Sequence, residues 1–523
     1  MQPARLALTV LLACAASGCS SLEDAPWDGR YTPLEERGDW MDSGPLSVCH
    51  VLEGADAACG SLESFDLSGC KRRSLEALER EGVYRSELRF DARGTQAARA
   101  APFGGGFKLS STGVPEQVLG ATAVAGVWDA RTFLVSSQSP DGLFTFAGCN
   151  AVGPRALTGC FSRCRDGVLV ESGTFRAERV ARFKGEHEVS GGLKLVSERW
   201  VDLGMPVDVQ VIGEHAYVVS QKREGQRGGL TVFDVSQPEA PVRVARMSLP
   251  EDSDWRGATF KGGVLYVASA SSGVVVLDIS QPSAPVFVRR VPEKPVSVGL
   301  VSVDGDRLYA VGTEPSAGTL MFDISTPSEP RLLQHIVSGS RIAENPSSRG
   351  PVSYEGRLYV NHLRDGLQVV DARSGGGVQL LGRYTYPYAN SRASAVGTFG
   401  GRIVAFESSL GVGARLRALD VSEPRNIVKI GEYGLRGVVS PRALELRGSR
   451  LYVTYHQEGL RVLDVSNPTQ PREVAYFNSF RETDPGRGDA LEEGATGLQV
   501  PGDGYVYVVD TSRGLLVLTE PPQ

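Results

Sequence analysis

The stretch GLRVLDVSNPTQP, from Gly459 to Pro471, contains the unit from which most of the chain is built. A glycine opens a short apolar strand, an aspartate ends it, and a proline-bounded turn follows. Further copies, some degraded, are GLTVFDVSQPEAP from Gly229, GVVVLDISQPSAP from Gly273, GTLMFDISTPSEP from Gly318, GLQVVDARSGGGV from Gly366, RLRALDVSEPRNI from Arg415 and GLLVLTEPPQ from Gly514. Repetition at this period predicts a repeat architecture.

The aspartate at the end of each copy's strand marks the period of the repeat. These residues are Asp234, Asp278, Asp323, Asp371, Asp420 and Asp464, with Thr519 in the last copy, and they recur every 44 to 55 residues. A tyrosine strand precedes most copies, at Tyr217, Tyr266, Tyr309, Tyr359, Tyr452 and Tyr507, with Val404 in the fifth. Another alternating strand comes before that one. Four short strands at this spacing are typical of a propeller blade.

The seventh copy lacks a fourth strand, because the chain ends at Gln523. A spare strand, 193–201 (LKLVSERWV), precedes the first complete copy. Pairing these two ends closes the ring without leaving a sheet edge exposed. The sequence therefore predicts an all-β fold, with a seven-bladed β-propeller over residues 191–523 that follows a small disulfide-bonded antiparallel β domain.

Two strings, LYVASASSGVVVLDISQPSAP and LYVTYHQEGLRVLDVSNPTQP, resemble the LVIVD-repeat family of bacterial surface proteins. The resemblance covers about residues 201–520 and implies a propeller. It departs from the family pattern after Asp371, where SGGG replaces the proline turn, and in the fifth copy. The family has no established common catalytic residues, so the resemblance implies no active site.

Composition and charge limit the class of protein. Hydrophobic residues make up 41% and charged residues 22% of the 523, which is typical of a globular chain. The 62 glycines and 30 prolines suit many short strands and turns. The formal net charge is -6 and no basic stripe stands out, so we expect no nucleic-acid partner.

The N-terminus has the pattern of a targeting segment, and we assign residues 1–18 to a signal peptide. Arg5 precedes a short apolar core at 6–13, and Ala16-Ser17-Gly18-Cys19 resembles a bacterial lipobox, which implies acylation of Cys19. Cys14 is a weaker competitor, and an ordinary secretory signal is the alternative. Because Ser20 follows the cysteine, the resemblance implies the outer membrane, with the protein periplasmic or surface-exposed. We expect no transmembrane helix.

Two regions separate the signal from the propeller. Residues 19–45 are polar and without periodicity, which predicts a flexible tether. Residues 46–190 contain alternating strands separated by short turns, which predicts an antiparallel meander closing into a small barrel or a sandwich. This region holds the remaining six cysteines: Cys49, Cys59, Cys70, Cys149, Cys160 and Cys164. An even number in an exported chain predicts disulfides, although spacing does not choose among the 15 pairings.

A zinc site is the rival interpretation of these cysteines. Cys160 and Cys164 have suitable ligand spacing, but no histidine lies near them in the sequence, so we expect no metal. The recurrent aspartates also suggest a ring of metal ligands. We instead expect their carboxylates to accept backbone N–H bonds in the turns. The recurrent tyrosines are expected to pack between blades.

The rim of the propeller is the predicted binding site. Four arginines precede the first strands of blades and point toward one mouth if the blades superpose, which predicts a cationic funnel; they are Arg256, Arg349, Arg392 and Arg442. The loop YTYPY places three aromatics at the predicted rim, either as exposed interface residues or in ordinary edge-strand packing; they are Tyr384, Tyr386 and Tyr388. Residues 478–496 predict a long polar overhang, and we attribute its Arg487-Gly488-Asp489 to chance.

Together these patterns predict a lipid-anchored envelope protein that binds an envelope or extracellular protein or glycan and needs no cofactor. Scarce histidine, the absence of a nucleophile motif and the lack of a recurrent acidic pair argue against catalysis. The alternatives are a propeller enzyme, either a hydrolase or a quinone-dependent sugar dehydrogenase, and a scaffold similar in layout to the outer-membrane assembly lipoprotein that carries a propeller.

Overall fold

The computed structural model describes residues 26–522, except for 53, 55–57, 102–103, 182–187, 224, 313–317, 337–351 and 372–378. The predicted signal peptide, Cys19 and Arg349 lie outside these residues. No helix among them is long and apolar enough to cross a membrane. The described chain is all-β, apart from the short 3-10 helices Leu62–Ser64 and Arg72–Ala77.

A closed antiparallel barrel forms the first folded unit. Its strands are β3 (Gly82–Phe90), β4 (Arg99–Ala100), β5 (Gly105–Leu109), β6 (Pro115–Val118), β7 (Ala121–Trp128), β8 (Phe133–Ser139), β9 (Gly142–Gly153), β10 (Ala156–Arg165) and β11 (Val168–Arg179). The short strand β4 pairs with β3 alone. The other strands pair with their neighbours in sequence, with β3 pairing to β5, and β11 pairs with β3 to close the ring. The meander is thus a barrel rather than a sandwich.

Aromatic side chains fill the barrel. Phe107, Phe146, Phe161 and Phe175 are fully buried in its interior. The bends that closure requires bring strands close to these rings: a Cβ on Gly159 would lie 2.7 Å from the ring of Phe175. Close packing of this kind leaves no room for a side chain at such a position, so glycine occupies it.

Three disulfides fix the segment before the barrel to its wall. They join Cys49 to Cys160, Cys59 to Cys164 and Cys70 to Cys149. The sequence predicted disulfides among these six cysteines and left their pairing open. The attached segment includes a two-stranded sheet of β1 (His50–Val51) and β2 (Phe65–Asp66). The disulfides therefore hold a loop-rich segment that has little regular structure of its own.

The chain from residue 189 onward forms seven blades. Blades 1 to 3 consist of β14–β17 (Met205–Ile212, His215–Gln221, Gly229–Asp234, Val242–Met247), β18–β21 (Trp255–Lys261, Val264–Ser269, Gly273–Asp278, Val286–Val291) and β22–β25 (Val298–Asp304, Arg307–Gly312, Gly318–Asp323, Arg331–Ile336). Blades 4 and 5 consist of β26–β29 (Val352–Tyr354, Arg357–Asn361, Leu367–Asp371, Gln379–Tyr384) and β30–β33 (Ser391–Phe399, Arg402–Ser409, Leu416–Asp420, Val428–Tyr433).

Blades 6 and 7 draw on residues from both ends of the propeller. Blade 6 consists of β34–β37 (Leu444–Arg447, Arg450–Thr454, Leu460–Asp464, Arg472–Phe477) and gains β12 (Val189–Ser190) as a fifth strand. Blade 7 consists of β38–β40 (Ala495–Gln499, Tyr505–Asp510, Gly514–Thr519) and β13 (Leu195–Arg199). Pairing of β13 with β40 confirms the predicted closure. Because β12 already pairs with β37 of blade 6, the chain joins the propeller at residue 189, shortly before the predicted start at residue 191.

The propeller has two faces that differ in their connections. The hairpins between the first and second strands and the turns after the recurrent aspartates lie at one face, named here the turn face. The loops between blades and those between the second and third strands lie at the other, named the loop face. The barrel contacts the loop face, where Arg179 of β11 pairs with Glu482 at 2.6 Å and Arg436 donates to the Arg179 carbonyl.

Residues 26–45, named here the strap, contain no helix or strand, but they do not form a free tether. Tyr31 donates to Asp420 at 2.7 Å, Leu34 donates to the Lys429 carbonyl, and Trp40 donates to Glu87 of the barrel. The prediction of a flexible tether is therefore wrong for this stretch. The physical reason is that its charged and aromatic side chains find partners on blade 5 and on the barrel.

Candidate functional site

The recurrent aspartates shape turns, as predicted. In five copies the carboxylate accepts the backbone N–H two residues on, and the pairs are Asp234 with Ser236, Asp278 with Ser280, Asp323 with Ser325, Asp420 with Ser422 and Asp464 with Ser466. These bonds favour the charged carboxylate, and the pKa of Asp278 is lowered by its bonds from Ser280. The turn after Asp371 lies outside the described residues. Each of these five aspartates thus has a local structural role in its own blade.

The recurrent tyrosines pack inside and between blades. Tyr217, Tyr266, Tyr309, Tyr359, Tyr452 and Tyr507 are all buried. Tyr266 of blade 2 donates its hydroxyl to the Pro327 carbonyl in the aspartate turn of blade 3, at 2.7 Å. This bond joins two neighbouring blades, as the packing interpretation predicts.

A cavity of about 350 Å³ follows the axis of the ring and is lined by first strands from all seven blades. Arg256 and Arg442 line it near the loop face. The positive charge of Arg442 lowers the pKa of Arg392, and that of Arg256 lowers the pKa of Arg442, after the larger effect of burial in each case. The structure therefore brings together three of the four predicted rim arginines.

These arginines do not form an open funnel. Arg392 is 2% and Arg442 5% exposed, and the Glu492 carboxylate lies 3.7 Å from the Arg442 guanidinium. Burial lowers the pKa of Arg392 to about 10. The prediction of a cationic funnel open to an anionic group is therefore wrong, because Arg392 and Arg442 are buried and the chain places its own Glu492 carboxylate beside Arg442.

Glu492 belongs to residues 478–494, which connect blade 6 to blade 7. Arg487 in this segment is fully buried and contacts Asp510 at 2.8 Å. Asp489 accepts the Gly120 backbone N–H of the barrel at 3.0 Å, and its own carbonyl accepts from Arg85. The segment thus lies between barrel and propeller instead of overhanging the last blade. Its Arg-Gly-Asp tripeptide is not available to a receptor.

Only one of the three predicted rim aromatics is exposed. Tyr388 is 59% exposed, whereas Tyr384 and Tyr386 are 8% and 6% exposed. Contacts with the strap and with blade 5 explain the difference, because Tyr384 donates its hydroxyl to Glu36 of the strap and the Tyr386 ring packs on Arg417 of blade 5 at 3.6 Å. The prediction of exposed aromatics is therefore wrong for Tyr384 and Tyr386.

The strap is held by a buried ion cluster that the sequence did not suggest. The Arg417 guanidinium lies 2.9 Å from Glu36, 2.6 Å from Asp39 and 3.6 Å from Glu407. Although burial opposes it, hydrogen bonding from Arg417 lowers the pKa of Glu36 to about 2. Burial raises the pKa of Glu407 to about 7. Residues 36 and 417 are far apart in the chain, so no local pattern links them.

A second cavity, named here the junction groove, lies where the strap, blade 5 and the barrel meet. Its volume is about 530 Å³, and its lining includes Trp40, Met41, Glu87, Val412 and Lys429. Met41 is 59% exposed. The exposed Tyr388 packs edge-on against Trp40, with ring centroids 5.5 Å apart. Apolar and charged groups thus share one open surface beside the remaining rim aromatic.

Metal ligation finds no support in the cysteine region. Within the described ranges, the one close grouping of ligand-type atoms is Cys49, Cys70 and Cys149. All three sulfurs are in disulfides, as are those of Cys160 and Cys164. A disulfide sulfur carries no thiolate for zinc.

Buried histidine is also a poor candidate for acid–base chemistry. His456 is fully buried in a loop of blade 6, and burial lowers its pKa to about 3. Burial likewise lowers the pKa of His362 in the corresponding loop of blade 4. Both side chains are therefore neutral at physiological pH and act in packing.

Comparison with known proteins agrees with the repeat pattern. Residues 203–248, 259–292 and 442–479 match the model of the LVIVD repeat, and these segments coincide with much of blades 1, 2 and 6. The chain therefore carries LVIVD repeats, which are found in β-propeller proteins. No curated protein matches the chain in sequence.

Several solved structures are similar at low identity. A computationally designed protein, Ika8, is 12% identical, covers 77% of this chain and 97% of its own, and has a TM-score of 0.40. A chain of a mitotic checkpoint complex is 12% identical over 66% of this chain and 99% of its own, with a TM-score of 0.45. BamB from Moraxella catarrhalis is 12% identical over 74% and 96%, with a TM-score of 0.39. With TM-scores this low, the likenesses carry no functional argument.

Proposed function

We propose that this LVIVD-repeat propeller is a lipoprotein of the outer membrane, anchored through Cys19, whose loop face binds a protein or glycan partner. Three features support the anchor and the compartment: the lipobox-like string ending at Cys19, the short apolar stretch before it, and the three disulfides. Disulfides persist in oxidising compartments such as the periplasm and the cell surface.

The observation that carries the binding role is the junction groove with Tyr388 beside it. Tyr388 and Met41 are each 59% exposed and border a surface that also offers charged groups. Tyrosine and methionine are enriched at protein interfaces, and an amphipathic tyrosine also suits sugar rings. A partner at this site contacts all three parts of the molecule at once.

The anchor is tested on protein isolated from its native membranes. Mass spectrometry of the N-terminal peptide is expected to show acyl chains on Cys19, and the Cys19→Ala variant is expected to leave the membrane fraction. An unmodified Cys19, or retention of the variant in that fraction, would refute the anchor.

The binding face is tested by photocrosslinking in intact cells. A photoreactive amino acid at position 388 is expected to give a discrete adduct. The same group at Val286, which is 59% exposed on the outer strand of blade 2, serves as the matched control. Equal labelling at both positions, or adducts only at Val286, would contradict binding at the loop face.

We also propose that the propeller is not an enzyme. Glu407 and His456, with pKa values shifted to about 7 and about 3, are fully buried and line neither the axial cavity nor the junction groove. Structural networks shift pKa values as active sites do. Metal analysis and an absorption spectrum of the purified protein test this proposal, since a stoichiometric metal or quinone would contradict it.

A further inference from the structure

The strap has a definite direction across the propeller. Near its start, Gly29 packs against the Gly400 carbonyl in a hairpin of the turn face, so closely that a Cβ would lie 2.5 Å from that oxygen. Tyr31 then bonds to Asp420, the recurrent aspartate of blade 5. The first described residues therefore lie at the turn face.

The other end of the strap reaches the loop face and the barrel. Gly38 packs against Pro387, in the loop between blades 4 and 5. Asp39 pairs with Arg417, and Asp42 then pairs with Arg89 of β3 at 2.6 Å. The strap thus runs along the edge of blade 5, and its first described residues lie on the opposite side of the propeller from the barrel.

Several buried contacts fix this path. Arg417 is 1% exposed and is shared by Glu36 and Asp39 of the strap and by Glu407 of blade 5. Lys429 adds a second positive charge 3.7 Å from Glu36. Removing one partner would leave a buried charge uncompensated, so the docked strap is a stable part of the fold.

The length of chain before the strap limits where a lipid anchor can lie. From Cys19 to Pro26 the covalent chain spans at most about 25 Å. A six-residue blade strand alone spans about 20 Å, and the barrel lies beyond it on the loop face. A lipid on Cys19 therefore reaches the turn face far more easily than a surface beyond the barrel.

The turn face also has a suitable surface chemistry. Its repeated turns, such as Ser236-Gln237-Pro238 and Ser466-Asn467-Pro468, are short and polar. Such turns suit contact with lipid headgroups and give no apolar segment for insertion into the bilayer.

We propose that the docked strap orients the molecule on the membrane, with the turn face toward the lipid surface and with the barrel and junction groove directed away from it. This inference rests on the proposed acylation of Cys19. It places the proposed partner-binding site on the side that is open to the compartment.

Energy transfer on vesicles tests the orientation. Acylated full-length protein is reconstituted into phosphatidylethanolamine–phosphatidylglycerol vesicles that contain an acceptor-labelled lipid. A donor dye is placed at Asn426, an exposed residue of the blade 5 turn, or at Val152, which is 61% exposed on β9 of the barrel. We expect higher transfer efficiency from Asn426. Equal transfer, or higher transfer from Val152, would overturn the proposed orientation.

Strap variants separate orientation from attachment. The double variant Glu36→Gln with Asp39→Asn weakens the ion cluster without altering the ring, and we expect it to remain on the vesicles while the difference in transfer is lost. Glu35→Gln is the matched control, because Glu35 is exposed and its ion pair is with the exposed Arg37, outside the cluster. A double variant that keeps the full difference would show that the strap does not set the orientation.

A failure of the anchor itself gives a distinct result. If Cys19 carries no lipid, the protein does not associate with the vesicles, and transfer is absent from both dye positions. That outcome contradicts the proposed function and the orientation with it. Association without a difference contradicts the orientation alone.

Discussion

Arg417 holds three carboxylates around one guanidinium, and Glu407 is the most deeply buried of them. Glu407 accepts the Tyr386 hydroxyl at 3.0 Å, and burial raises its pKa from 4.5 to about 7. Burial also raises the pKa of Asp39, while that of Glu36 is lowered to about 2. Near neutral pH the cluster therefore exchanges a proton at Glu407 first.

The pH dependence of this cluster follows from linkage. Between about 4.5 and about 7 the folded protein holds a proton on Glu407 that the unfolded chain has lost, so stability falls as pH rises through this window. The variant Glu407→Gln, which keeps an oxygen for Tyr386, is expected to lack this loss. Urea unfolding at pH 5 and pH 8, compared with the exposed Glu432→Gln, measures it. An unchanged pH slope in Glu407→Gln would contradict the assignment.

Asp464 gives a test of the recurrent turn. Its carboxylate accepts the Ser466 N–H at 3.0 Å and pairs with Arg472 at 3.2 Å. Replacement by Ala is expected to cost about 1 kcal/mol of unfolding free energy, the usual net value of such a bond. Asp464→Asn keeps an acceptor oxygen and is expected to cost less. Loss of a bound metal in Asp464→Ala, detected by metal analysis, would refute the structural role.

At the scale of elements, closure of the ring depends on the contact between β13 and β40. Gly514 begins β40 with a φ of +81°, and a Cβ there would lie 2.3 Å from the Arg199 carbonyl of β13. Gly504, in the preceding hairpin of the same blade, has a φ of +91° but has open space around it. The two glycines thus share a backbone conformation that is strained for a residue with a Cβ, and they differ in their contact with β13.

This pair yields a prediction about closure. Gly504→Ala is expected to cost about 1–2 kcal/mol, the price of a left-handed conformation for a residue with a Cβ. Gly514→Ala is expected to cost more and to increase hydrogen exchange in β13, because the added methyl pushes β13 away. Equal effects of the two substitutions on urea unfolding would contradict a tight closure at β13.

The elements of the propeller were predictable and those of the first unit only in part. Most blades repeat a glycine, an aspartate and a buried tyrosine, such as Gly273, Asp278 and Tyr266, so one pattern is confirmed many times. The barrel has no internal repeat. The same alternation of strands suits a sandwich, and only the pairing of β11 with β3 distinguishes the two.

At the scale of the whole molecule, Glu482 joins the barrel to the propeller. It pairs with Arg179 at 2.6 Å and accepts the Val83 N–H at 2.7 Å, and both charged side chains are about nine-tenths buried. Arg436 adds bonds to the Arg179 and Val180 carbonyls. Docking of the barrel thus relies on buried polar contacts from residues 436 and 482, together with those of Asp489 with Gly120 and Arg85.

The variant Glu482→Ala is expected to weaken this docking while both units stay folded. Loss of one partner from a buried pair costs about 3–5 kcal/mol, since the remaining charge stays buried. Small-angle scattering is expected to show a larger radius of gyration. Glu81→Ala is the control, because Glu81 lies 3.6 Å from the same arginine but is 54% exposed. A compact Glu482→Ala variant would show that other contacts hold the barrel.

The candidate site shows where prediction from sequence stopped. The position of Arg256, Arg392 and Arg442 in the repeat placed them correctly at the ends of first strands. The burial of Arg392 and Arg442, and the position of Glu492 beside Arg442, followed no repeat, because residues 478–494 are an insertion. The junction groove draws on the strap, blade 5 and the barrel, which are separated by long stretches of chain.

By itself the sequence determined the LVIVD repeats, the ring of blades, its closure by β13 and the turn chemistry of the aspartates. These features depend on local patterns that recur at a fixed period, and periodic burial leaves a signal in the order of apolar and polar residues along the chain. Only the tertiary structure decided the disulfide pairing, the docking of the strap and the barrel, and which rim residues are exposed. Those outcomes depend on single contacts between distant residues, such as Glu36 with Arg417, and a contact made once leaves no period in the sequence.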